Sequence, residues 1–91
     1  SARQEEHIWV KHHVTTDEVD EACRSAYLVL RGRDDSYAIF GQTDAGRYLA
    51  LFAYARGAHV YSLATARDMT ESERRRIRGL SPVDLYDADE E

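Results

Sequence analysis

Seven arginines fall between residues 47 and 78 of this 91-residue chain, and a Lys11-His12-His13 run stands near its start. These are residue types that handle phosphate. A guanidinium presents forked donors that match two phosphate oxygens at once. A histidine titrates near neutrality and so passes a proton to or from a phosphodiester. Arg67 closes a strand-like run just before a helix start, where a rigid sheet end would present it, and it is the leading candidate. Arg56 falls in the preceding turn region, and Arg47 opens the long apolar run before it. Antiparallel geometry brings Arg47 and Arg67 toward one end of that hairpin and sends Arg56 to the other. His12 and His13, adjacent in an extended segment, point to opposite sides and do not serve one site equally.

Arg74, Arg75, Arg76 and Arg78 dominate the segment TESERRRIRGL. Contacts from such a cluster to phosphates give affinity without reading sequence. The same cluster also suits an acidic protein partner, a solvated helix face, or screening by the acidic end of the chain. Six tyrosines supply stacking platforms for bases, although tyrosines on strands are ordinarily packing residues.

The formal charge of −5, from 12 bases and 17 acids, argues against a uniformly basic nucleic-acid coat. That total hides a segregation. Five acids lie within residues 84–91, which leaves residues 1–83 with twelve bases against twelve acids. Residues 47–78 carry seven arginines against Asp68, Glu71 and Glu73, a local +4. The lone Cys23 excludes an internal disulfide, and no ligand spacing resembles a zinc or calcium site. Phosphate-loop, nucleophile-elbow and H-E-x-x-H patterns are absent, so neither metal nor cofactor is expected. No apolar run approaches the ~20 residues of a membrane span, and no secretory leader opens the chain. The expectation is a soluble cytoplasmic protein.

The elements that must position these residues follow from two periodicities. Thr15 and Glu18 have capping-box spacing, and Val19, Ala22, Cys23 and Ala26 form one apolar stripe behind them, which predicts a short helix. Before it, HIWV (7–10) reads as a short strand or as a segment that inserts Ile8 and Trp9 into the core. Four strand-like runs follow at 27–31, 37–41, 47–54 and 59–66, with glycine-bearing connections too short for parallel crossovers. Both alternating series of 48–54 are largely apolar. That run is a central strand covered on both sides, or one whose free face takes a partner. Thr70 and Glu73 repeat the capping-box spacing before the arginine helix, and Gly79 with Pro82 supplies a stop. The expected fold is α+β: a four-stranded antiparallel meander flanked by an N-terminal helix and a C-terminal Arg-rich helix. Residues 1–83 form one domain and 84–91 an acidic tail.

In this order, KHHVTTDEVDEA, FGQTDAGRYLALFAYARG and VYSLATARDMTESERRR resemble the BrnT family of toxins from bacterial type II toxin–antitoxin systems. The likeness spans about residues 10–78. It implies a RelE-like fold and a metal-independent endoribonuclease acting on mRNA, free or on the ribosome, and neutralised by a small cognate antitoxin. Carried onto this sequence, the pattern makes Lys11 and Arg67 phosphate ligands that stabilise developing charge. His12 becomes the proton-transfer residue and Arg56 a second phosphate clamp. Arg47, Arg74, Arg75 and Arg78 extend the RNA- or phosphate-binding surface. The chain departs from the family in its shortened opening, in Ala55 before Arg56 where an acidic residue is common, and in its acidic total charge. Two other classes stay open. One is a noncatalytic interaction domain that uses strand 48–54 as an intermolecular or homo-oligomeric surface. The other is a nucleic-acid-binding module without cleavage.

Overall fold

Thr15 starts the first helix as its spacing predicts. In the computed structural model, which describes residues 13–57 and 60–88, α1 runs Thr16–Arg24. The Thr15 hydroxyl accepts from the Glu18 N–H at 3.1 Å, and the Glu18 carboxylate accepts from the Thr15 N–H at 3.0 Å. Two otherwise orphan donors are thereby satisfied. The helix is shorter than its stripe. Ser25 breaks it, and Ala26 already belongs to the first strand, where it is buried. HIWV, Lys11 and His12 lie outside the described residues.

The four runs form one antiparallel sheet in the order β1 (Ala26–Arg31), β2 (Ser36–Gln42), β3 (Tyr48–Gly57) and β4 (Val60–Asp68). Asp34 and Asp35 turn the first hairpin with φ of 56° and 61°. Two successive left-handed residues match the right-handed twist of the flanking strands. The second connection closes on Thr43, whose backbone and hydroxyl both bond Arg47 while Gly46 takes φ 97°. β3 extends through Gly57, so Arg56 is a strand residue rather than part of a turn.

Alternate residues of β3 feed two separate cores. Leu49 and Leu51 join Val14, Ala22 and Ala66 beneath α1. Ala50 joins Phe40, Met69 and Ile77 beneath the second helix, α2 (Glu71–Ile77). The two-sided apolarity of 48–54 is thus that of a central strand covered on both faces over its first half. Gly41 permits the close approach of α1: a Cβ there would meet the Ala22 carbonyl oxygen at 2.1 Å.

After α2 the chain crosses to the α1 side. Val83 forms a two-bond bridge with Ala26 at the free edge of β1, and one helical turn, α3 (Leu85–Ala88), follows. Tyr86 lies over α1, where its hydroxyl donates to Asp20 and the Arg24 guanidinium stands 5.1 Å from its ring centroid. The described start of the acidic segment therefore packs on α1, not on the arginine helix. Among the described residues, no helix is long and apolar enough to cross a membrane.

Candidate nucleic-acid interface

The two helix caps decide the fate of two candidate arginines. In each capping box the glutamate has donor-accepting capacity left after bonding its threonine N–H, and in each case a sheet-end arginine takes it. Arg47 Nη1 donates to both oxygens of Glu18 at 3.2 Å and to the His13 carbonyl at 2.8 Å. Its Nε and Nη2 donate to the Asp68 carboxylate at 2.7 and 3.3 Å. Arg67 forms a forked pair with Glu73, both bonds 2.8 Å, and donates to the Asp68 carbonyl at 3.0 Å. Its guanidinium also stands over Phe52, 5.1 Å from the ring centroid, a cation–π arrangement. Asp68 thus joins the two clusters, its side chain on Arg47 and its carbonyl on Arg67.

The carboxylates register this pairing. The Arg67 hydrogen bond, helped by the Thr70 N–H, overrides partial burial and draws Glu73 down to about 2. Asp68 is lowered chiefly by its hydrogen bond to Arg47. Burial pushes Glu18 upward, but bonds from the Thr15 backbone and Arg47 outweigh it, and the net shift is downward. Both guanidiniums are consequently part of the scaffold, tying the helix N-termini to the sheet.

Arg56 is elsewhere. Arg67 pairs across the ladder with Ala50, six residues from Arg56, so the two lie about 20 Å apart at strand rise. Arg56 Nε donates to the Ser62 hydroxyl at 2.9 Å near the hairpin tip. The two do not grip one phosphate. Lys11 and His12 lie outside the described residues.

Open cations gather on α2. Arg75 makes only a solvent-exposed pair with Glu71 at 3.5 Å. Among the described residues, Arg74 and Arg78 have no carboxylate partner and no side-chain hydrogen bond. They flank a cleft of about 470 Å³ together with Tyr27, Tyr48, Glu71 and Leu80. Ile77 anchors the helix over the second core, so its neighbours are turned to solvent. Tyr27 of β1 and Tyr48 of β3, on either side of β2, have ring centroids 6.5 Å apart and planes inclined at 40°. Tyr27 is oriented by its hydroxyl, which donates to the Gln42 side chain at 3.1 Å. Leu80, 45% exposed, extends the apolar wall. The cleft offers two cations for phosphates and flat apolar faces for bases.

The arginines of this cleft were visible in the sequence as a cluster; the tyrosines were visible only as two of six. Their convergence needs the β1–β3 spacing and the return of α2 over the sheet, which no local pattern encodes. Among the described residues, no group of His, Cys, Asp or Glu side chains is arranged to hold a metal ion. Fold and surface together define a small α+β domain with a cationic, aromatic cleft at one end of a meander. No protein-family model, curated protein or solved structure matches the chain.

Proposed function

We propose that the protein is a BrnT-like toxin that engages single-stranded RNA through the Tyr27–Tyr48–Arg74–Arg78 cleft. The observation that carries this reading is the pair of guanidiniums, Arg74 and Arg78, that have no partner among the described residues and stand beside two tyrosine rings. Single-stranded RNA exposes phosphates and unstacked bases together, and this cleft matches both at once. The antiparallel meander with a capped helix on each face supports the RelE-like part of the reading. In it, His12 is the proton-transfer residue and Lys11 a phosphate ligand. Arg47 and Arg67 act as positioning residues, since their donors already serve Glu18, Asp68 and Glu73. Arg56 belongs to a separate surface.

The saturation of Arg47 and Arg67 also favours a second reading, RNA binding without cleavage. The two readings separate in one experiment. A fluorescent single-stranded RNA is incubated with the protein in EDTA, with and without ribosomes, and both anisotropy and cleavage are followed for the wild type, Arg74→Ala/Arg78→Ala and His12→Ala. The nuclease reading expects metal-independent cleavage whose KM rises in the double variant and whose kcat falls in His12→Ala. Binding without cleavage in every condition selects the second reading. Absence of binding by the wild type sinks both.

A further inference from the structure

The cleft on α2 holds one group that phosphate binding does not explain. Glu71 lines it beside Arg74 and Arg78, where a carboxylate repels the phosphates that the two guanidiniums attract. Its place follows from helix periodicity. Glu71, Arg74 and the C-cap Arg78 stand at i, i+3 and i+7, so they share one face of α2. Over those seven residues, about 10 Å of axial rise, that face changes from acid at its N-terminal end to base at its C-terminal end. Two other carboxylates of this region, Asp68 and Glu73, are taken up by Arg47 and Arg67. Glu71 is not. Among the described residues its contact is an exposed pair with Arg75, Oε2 to Nη1 at 3.5 Å, the limit of hydrogen-bond reach. Its side chain is 78% exposed, and both oxygens keep accepting capacity.

Two acceptors side by side are matched by two adjacent donors, and the four RNA bases differ in supplying them. On its Watson–Crick edge guanine presents N1–H next to the N2 amino group. Adenine and cytosine present an amino group next to a ring-nitrogen acceptor, and uracil presents N3–H between two carbonyls. Stacking on Tyr27 and Tyr48 does not separate these bases, since every base has a π-face. A carboxylate does. We propose that the cleft selects guanine in single-stranded RNA: Glu71 accepts from N1–H and the N2 amino group, the base stacks on the tyrosine wall, and Arg74 and Arg78 hold the adjoining phosphates. The order of charge along the helix face matches that of a guanine nucleotide, whose donor edge and phosphate lie apart and are opposite in sign. The stacking wall is braced before a ligand arrives. The Tyr27 hydroxyl donates to Gln42, whose own amide donates to the Gly46 carbonyl at 3.2 Å. The inference rests on RNA binding at this cleft and adds to it a base preference.

Anisotropy of a labelled 2′-O-methyl oligouridylate, which resists cleavage, is measured in EDTA beside the same strand with one central guanosine, adenosine, cytidine or inosine. The guanosine strand should bind at least about tenfold tighter than the other natural strands. Inosine keeps N1–H and lacks the amino group, so its strand should bind at least about threefold more weakly than the guanosine strand. That comparison uses the wild-type protein and needs no variant. Glu71→Ala, with its circular dichroism unchanged, should bring the guanosine strand to within about twofold of the others. The same variant should hold the all-uridine strand as tightly as before or tighter, because a negative charge has left the cleft. Guanosine monophosphate, which brings a single phosphate, should bind more weakly than the guanosine strand. Natural strands bound within about twofold of one another by the wild type would overturn the proposal. So would a guanosine preference that survives in Glu71→Ala, or free monophosphate bound as tightly as the strand. Wild-type binding to none of the strands would instead remove the RNA reading itself, and this inference with it.

Discussion

Arg67 and Arg78 lie on the same face of the sheet, eleven residues apart, and meet opposite fates. Arg67 is gripped by both oxygens of Glu73, by the Asp68 carbonyl and by the face of Phe52. Arg78, at the C-cap of α2, reaches none of these and opens onto the tyrosine cleft. The difference teaches that an arginine's residue type and local context do not disclose whether its charge is spent inside the fold. The structural pair, Arg47 and Arg67, stands where a capping-box glutamate is within reach. The open pair, Arg74 and Arg78, shares its cleft with Glu71, which is paired with Arg75.

This contrast is broken most severely by exchanging the roles. Arg74→Ala/Arg78→Ala should weaken single-stranded RNA binding by about a hundredfold at low salt, and lower the slope of log affinity against log salt by roughly 1.4. Chemical denaturation of the same variant should show a stability change within about 0.5 kcal/mol. Anisotropy titrations at several salt concentrations decide it. If the salt slope is unchanged, Arg74 and Arg78 do not meet phosphate.

Arg47→Ala should show the reverse signature. It strips partners from Glu18, Asp68 and the His13 carbonyl together, so a loss of about 2 kcal/mol in urea unfolding is expected. RNA affinity measured below the unfolding transition should be nearly that of the wild type. A variant that is fully stable but fails to bind RNA would move Arg47 into the binding surface.

A smaller effect comes from pH. Glu73 has its folded value at about 2, below its ordinary 4.5. Its pairing therefore stabilises the fold fully above pH 4.5, and that contribution is lost as pH falls toward 2. Glu18 and Asp68 are also lowered and act in the same direction. Glu73→Gln should flatten the fall of stability with acidification in that window. A slope matching the wild type would mean that Arg67 does not hold Glu73 in solution.

The smallest effect is expected at the hairpin tip. Arg56→Ala removes one exposed bond to Ser62 and should alter stability by less than about 0.5 kcal/mol. RNA binding through the α2 cleft should not change, because about 20 Å of sheet separates Arg56 from Arg67. A marked loss of RNA affinity or cleavage would return Arg56 to the site.

Much of the fold was legible because its signals are local. Thr15/Glu18 and Thr70/Glu73 cap helices through contacts three residues apart. The short connections between apolar runs permitted only antiparallel neighbours, and the meander followed. The site was legible only as a charge cluster. Glu18 and Arg47 are 29 residues apart, and nothing in either segment announces the other. The acidic segment was equally ambiguous: Tyr86 docks on Asp20 of α1 across 66 residues, a contact that neither segment announces.

The sequence alone determined the element types, their order and the segregation of charge, because capping, alternation and turn chemistry act over a few residues. Only the tertiary structure decided which charges remain available. With 12 bases and 17 acids in one small domain, composition permits many pairings. Distance selects among them. The packing of α1 and α2 on opposite faces brought Glu18 and Glu73 to the sheet-end arginines and left Arg74 and Arg78 facing the tyrosines.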